Sequence, residues 1–400
     1  MTDIYTLKAL ETFQCAGSNC PRTCCSGWQI EVEPALIDKW QHISDSEERD
    51  WLLSALPAKN DDNSQPLMKP EDLNCPFLST DKLCKIQMQH DQTFIPTTCR
   101  EYPRVNIKTK NRQYNSASLS CPEIVRMVLF DKKIDNPYQI TQSGETSSSE
   151  QQAISHETIN LALDKLINKV MKLDKFPLGL RLFYISSFFS DFFEHVKQTE
   201  IHPSQIDQVG KQLKENLYAA NLAVKQNQIA VDPVTAGSYW KSIYSLCITQ
   251  NIDSRFREDE TLPLTQAILN NEDSHEGYAN IYNTLQDYIK HCRPVIKKQY
   301  QQLLKTYTQV YFKNNGFPLL PRNKTTNITI VQCMLGLSIL QLLLWMQVKQ
   351  KNKLDESFLQ ELIVEVERQH AHHDSIAQHL EENNHMLQIG QYCTCFIDLF

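Results

Sequence analysis

Four short stretches decide how the chain is read: CAGSNCPRTCC at residues 15–25, CPFLSTDKLC at 75–84, TTCREYPR at 97–104 and SLSCPE at 118–123. Together they carry Cys15, Cys20, Cys24, Cys25, Cys75, Cys84, Cys99 and Cys121, eight of the thirteen cysteines. Pro21, Pro76, Pro96, Pro103 and Pro122 brace these stretches, and Gly17 and Gly27 interrupt any helical or strand period around the first of them. Loops of this kind hold thiolates in fixed positions and leave backbone N–H groups to donate to sulfur, as a zinc ion or an iron–sulfur cluster requires. One zinc or one 4Fe–4S cluster uses only four protein sulfurs, so a second site, a redox pair or packing would have to account for the rest. Spacing does not choose the four. Consecutive side chains usually diverge, which makes adjacent Cys24 and Cys25 ambiguous.

The remainder of the sequence narrows the setting. A chain of 400 residues buries a full core without disulfides, and its length suggests roughly two or three domains. The segment MTDIYTLKALETF has no basic region followed by an apolar run, so no secretory leader is expected. A cytoplasmic, reducing location follows as an expectation, and there cysteines favour metal thiolates over disulfides. The net charge of −7, with Lys and Arg dispersed along the chain, argues against a nucleic-acid partner. The ten glycines form neither a dinucleotide-binding fingerprint nor a P-loop.

Between the cysteine groups, Pro34 followed by Leu36, Ile37 and Trp40 predicts a short helix, and a second is expected from about Ser44 through Leu53. Residues 57–72 read as a polar loop, and Cys75 to Cys84 as a turn-based knuckle. Residues 136–153 are polar and aperiodic, a linker or exposed loop. Beyond it the pattern is helical: from Ser155 as an N-cap through Met171, over 178–196, 203–226 and 234–252, and over 278–312 with a break near Pro294. Residues 327–348 carry no charge and are long enough to span a bilayer, but Gln332, Gln341 and Gln347 favour a buried central helix, so no membrane span is expected. The tyrosines at 278, 282, 288, 300, 307 and 311 fit a core or an aromatic channel. The cluster from Arg368 through His370, His372, His373 and Asp374 lacks paired histidines at helical spacing and reads as a solvated helix end. The expected fold is therefore mostly α: a loop-rich cysteine domain over 1–135, a linker over 136–153 and a larger all-α domain over 154–400.

Read together, the cysteine stretches with Trp28 and the Cys-Arg-Glu-Tyr-Pro-Arg run at 99–104 resemble the flagellin lysine-N-methylases, whose N-terminal part is similar to a widespread zinc- or iron-chelating cysteine domain. The likeness covers about the first third of the chain. It implies methyl transfer from S-adenosylmethionine to lysine side chains of flagellin, with a 4Fe–4S cluster, or zinc in its place, on the eight cysteines. Catalytic residues are not indicated. The radical S-adenosylmethionine motif is absent, because Gly27 stands where its third cysteine would be. A non-enzymatic zinc- or iron-binding protein, its thiolates stapling loops, is the rival reading.

Overall fold

The computed structural model describes residues 2–27, 30–56, 74–108, 112–131, 137–143, 156–196, 203–226, 232–249, 252, 256, 262–296, 298–318 and 326–371. The expected helices are present, and a small sheet joins them. Its strands are β1 (Thr2–Leu7), β2 (Arg104–Lys108), β3 (Arg112–Ala117) and β4 (Tyr138–Ser143), in the order β2-β3-β1-β4. β2 and β4 run antiparallel to their neighbours, while β1 and β3 are parallel, with Tyr5 opposite Tyr114.

The sheet corrects the sequence reading. β1, β2 and β3 lie in the expected loop-rich domain and β4 in the polar stretch 136–153, where no strand was expected. Each strand is short, and the central pairing joins residues more than a hundred positions apart, which no local pattern announces. That pairing also positions the site: with Thr6 beside Asn115, the intervening chain leaves and re-enters at one place, so the first and last cysteines of the set return to neighbouring positions.

The excursion carries short helices: α1 (Pro34–Gln41), α2 (Ser46–Ser54), α3 (Lys85–Gln89) and α4 (Thr97–Glu101), with α5 (Pro122–Val125) after β3. Pro34 opens α1, and the Asp45 carboxylate caps α2 by accepting from the Glu48 N–H. Cys99, expected in a Pro-braced loop, lies within α4 instead. Ile30, Val32, Leu36, Trp40, Leu52, Phe77, Ile86 and Ile95 form a compact core, with Cys75, Cys84 and Cys99 packed at its edge.

The second, far larger core joins the sheet to the helical body: α6 (His156–Met171), α7 (Leu178–Val196), α8 (Pro203–Lys225), α9 (Pro233–Thr249), α10 (Pro263–Leu269), α11 (His275–Cys292), α12 (Lys298–Asn314), α13 (Thr326–Lys351) and α14 (Glu356–Ala371). Leu7, Ala117, Leu119 and Ile124 belong to this core, not to the smaller one. The break near Pro294 separates α11 from α12 as expected. α13 is long and apolar enough to cross a membrane, yet 94% of its apolar window is buried by its neighbours. Tyr239 and Ser338 hydroxyls meet at 2.5 Å inside this packing, satisfying polar atoms that burial would otherwise strand. Ser155 and residues 57–72, read above as a cap and a loop, lie outside the described residues, as do His372, His373 and Asp374.

Candidate functional site

All eight predicted cysteines are free thiols. Cys24, Cys25, Cys75, Cys84 and Cys99 line one cavity of about 70 Å³, walled otherwise by Ile30, Phe77, Ile86, Ile95 and Tyr102. Three separated stretches of sequence therefore meet at one void. The meeting is fixed by backbone bonds: the Cys75 N–H donates to the Cys25 carbonyl at 2.7 Å, and the Lys85 N–H to the Phe77 carbonyl at 2.8 Å. The second bond, with the Leu78–Cys84 bridge and Lys82 in the left-handed region at φ 60°, closes the expected knuckle.

Backbone N–H groups point at several sulfurs. Cys84 stands at the N-terminus of α3 and its sulfur accepts from Gln87 and Ile86, while Cys75 accepts from Phe77. Cys121 stands at the head of α5 and accepts from Ile124 and Glu123. Such donors stabilise negative sulfur, so they fit thiolate ligands. Burial pushes Cys75 up to about 12 and Cys121 up to about 11, and raises Cys84, Cys99 and Cys20 as well. Cys25 is the exception, lowered to about 7 chiefly by a hydrogen bond from Cys24, whose own thiol is correspondingly raised. The two adjacent side chains thus meet, where divergence was expected.

Cys15, Cys20 and Cys121 do not line the cavity. Both Cys20 and Cys15 add to the upward shift of Cys121 after burial has done the larger part, and Cys15 adds likewise to that of Cys24 on the cavity wall. Cys15 Sγ accepts from the Gly17 N–H at 3.4 Å, and Cys20 Sγ donates to the Arg22 carbonyl at 3.2 Å. Among the described residues, no three His, Cys, Asp or Glu side chains stand close enough together to hold a single metal ion as they are. The cavity is nevertheless several times the roughly 10–15 Å³ that one water occupies, room for a polyatomic group. Sulfur donors, N–H support and a void of that size suit a cluster.

Arg368 was read as part of a solvated helix end, and it is the residue that sequence reasoning missed. From α14 its guanidinium donates to the Arg22 and Thr23 carbonyls at 2.9 Å each, to the Ser120 carbonyl at 3.3 Å and to the Ser26 carbonyl at 3.5 Å. One side chain thereby fixes the loop of Cys20 to Cys25 against the turn before Cys121. Arg22, on the same loop, pairs with Glu365 of that helix. The signal was available in the run Ile363-Val364-Glu365-Val366-Glu367-Arg368, where charges interrupt an apolar face that α14 buries.

No family model matches the chain, and no solved structure matches it. It is 34% identical over 122 residues to flagellar biosynthetic protein FliU of Salmonella muenchen, a match covering 30% of this chain and 72% of FliU. It is also 34% identical over 124 residues to the lysine-N-methylases of Salmonella typhimurium and Salmonella choleraesuis, covering 30% of this chain and 30% of each. The chain thus matches less than a third of the methylases' length. The extent of the FliU match places it: the chain belongs to the family that holds flagellar biosynthetic protein FliU and the lysine-N-methylases of Salmonella.

Proposed function

We propose that the protein is an S-adenosylmethionine-dependent lysine N-methyltransferase acting on flagellin in the cytoplasm, with a 4Fe–4S cluster on its cysteine loops. The similarity to lysine-N-methylases and to a flagellar biosynthetic protein carries the reading. The cavity ringed by Cys24, Cys25, Cys75, Cys84 and Cys99 supports the cluster. Cys25, Cys75, Cys84 and Cys99 would hold it, with Cys24 as the alternate sulfur; Cys15, Cys20 and Cys121 stand by as a neighbouring set. Held by all four sulfurs a bound cluster would brace the loops, whereas held by three it would offer an open, Lewis-acidic iron.

What this chain's own residues do is hold and shield. Ile30, Phe77, Ile86 and Ile95 keep the cavity wall apolar, the N–H groups of α3 prepare sulfur for negative charge, and Arg368 fixes the loop backbones. The rival reading, a metal protein without enzymatic activity, draws on that same tie between α14 and the cysteine loops, which is what a structural staple would need.

Anaerobic purification separates the two. Iron and sulfide in the protein, with transfer of labelled methyl groups from S-adenosylmethionine to flagellin, is the expected result; a colourless zinc protein that leaves flagellin unlabelled would overturn it. Replacing Cys84 by Ser is expected to abolish iron retention, whereas replacing Cys247, a buried thiol of the helical body, is expected to leave it intact.

A further inference from the structure

A second cavity, about 140 Å³, lies where the sheet meets the helical body, away from the cysteines. Tyr5 of β1, Tyr138 of β4, Phe312 of α12 and Phe317 supply aromatic walls, and Asp164 of α6 and Lys313 of α12 supply the polar one. Lys313 is almost fully buried. Its Nζ donates to Asp164 Oδ1 at 2.7 Å and sits 4.9 Å and 4.8 Å from the ring centres of Tyr5 and Tyr114. Asp164 is itself shared: its other oxygen receives Arg112 at 2.9 Å and Asn168 at 2.9 Å. Lys172 stands on the same lining.

Buried charge is costly unless it is answered, and here the buried Lys313 and Arg112 share the single carboxylate of Asp164, with Lys172 adding a further positive charge at the exposed edge of the lining. A wall with surplus positive charge beside flat aromatic faces selects a ligand with an anionic head and a flat or cationic body. Ile140 lines the cavity and is exposed, which marks the mouth. We propose that this cavity binds a small ligand by its carboxylate, at Lys313. Resting on the methyltransferase reading above, we identify that ligand as S-adenosylmethionine, whose amino-acid end carries the carboxylate and whose sulfonium, a few bonds away, suits aromatic walls. The space fits a group of amino-acid size, and the remainder of the donor extends through the mouth.

The test is calorimetry on the full, metal-loaded chain, with S-adenosylmethionine and with its decarboxylated analogue, which differs only in lacking the anionic group. The wild type is expected to bind the analogue about ten-fold more weakly or worse, the loss of one charge-assisted contact. Lys313→Met is expected to bind both ligands equally and weakly; it keeps the Arg112–Asp164 pair, so the fold retains its buried ion pair. Ile140→Trp, which narrows the mouth without touching a charge, is expected to weaken both ligands and carries the test should Lys313→Met fail to fold. Wild-type binding that neither substitution changes would show that the donor sits elsewhere and that Lys313 only fastens the sheet to the body, with the methyltransferase reading intact. A wild type that binds neither ligand would overturn both.

Discussion

The cysteine-bearing excursion and the helical body are stabilised by different means. The body surrounds α13, whose Leu337, Leu340, Leu343 and Leu344 are fully enclosed, and its core runs unbroken into the sheet. The excursion relies on a handful of apolar side chains around Trp40 and Phe77, on short helices, and on thiols at the edge of a void. An apolar core of that size contributes little beyond the entropy it must offset. The body is thus held by burial, and the excursion by its small core, by Arg368 reaching in from the body and, on the proposed reading, by a metal group on its sulfurs. Metal removal is the sharpest way to separate them, because hydrogen exchange should then rise across residues 30–99 before it rises in α13.

The largest single effect is expected within the body. Trp240 on α9 is buried and packs at a tilt against Trp345 of α13 with ring centres 5.5 Å apart. Trp240→Ala should cost about 3–5 kcal/mol in thermal or denaturant unfolding. Iron or zinc content in the protein that remains folded should be unchanged. A loss of metal in step with stability would mean that the two regions form one cooperative unit.

Glu367 on α14 offers a smaller and pH-dependent break. Burial raises its carboxyl from 4.5 to about 7, the hydrogen bond from Tyr307 working the other way. Tyr311 and Cys333 face the same carboxylate from α12 and α13. The folded state therefore holds a proton that the unfolded state has released between those two values, so stability falls as pH rises from 4.5 towards 7. The accumulated loss is roughly 3 kcal/mol, from about 1.4 kcal/mol for each pH unit. Glu367→Gln should flatten that part of the stability profile, measured by denaturant unfolding at a series of pH values. An unchanged slope would place the responsible titration in another group.

The two regions also differed in how much of them the sequence announced. Most of the body was legible because helices declare themselves through period and punctuation: the helices expected over 203–226 and 234–252 open at Pro203 and Pro233, and the break near Pro294 fell where proline removes a donor, whereas the short helix opened by Pro263 was not read. The eight cysteines were legible as a set, and five meet at one cavity. Three things were not. β1 and β3 pair across most of the excursion, so no local window contains both partners. The splitting of the thiols into a cavity set and the group of Cys15, Cys20 and Cys121 depends on that pairing. Asp164, Lys313 and Arg112 gather from α6, α12 and β3, and charges so far apart in sequence look like ordinary surface residues until the fold unites them.

The smallest expected effect on global unfolding falls at the join between the regions, and there the comparison is tested most directly. Arg368 donates to carbonyls of four residues on the cysteine loops, none of which belongs to the helical core. Arg368→Ala should cost the body only about 1–3 kcal/mol, the range for hydrogen bonds from a charged donor. The excursion should suffer more, since its loops lose the one side chain that ties Arg22, Thr23 and Ser26 to Ser120. The expected signature is a modest drop in the main melting transition together with a several-fold faster loss of metal to a chelator. Arg368→Lys retains the charge but not the fork that reaches both strands of the loop, so it should restore the melting temperature more fully than metal retention. If Ala and Lys variants hold metal as tightly as the wild type, the sulfurs organise their own loops, and α14 merely rests against them.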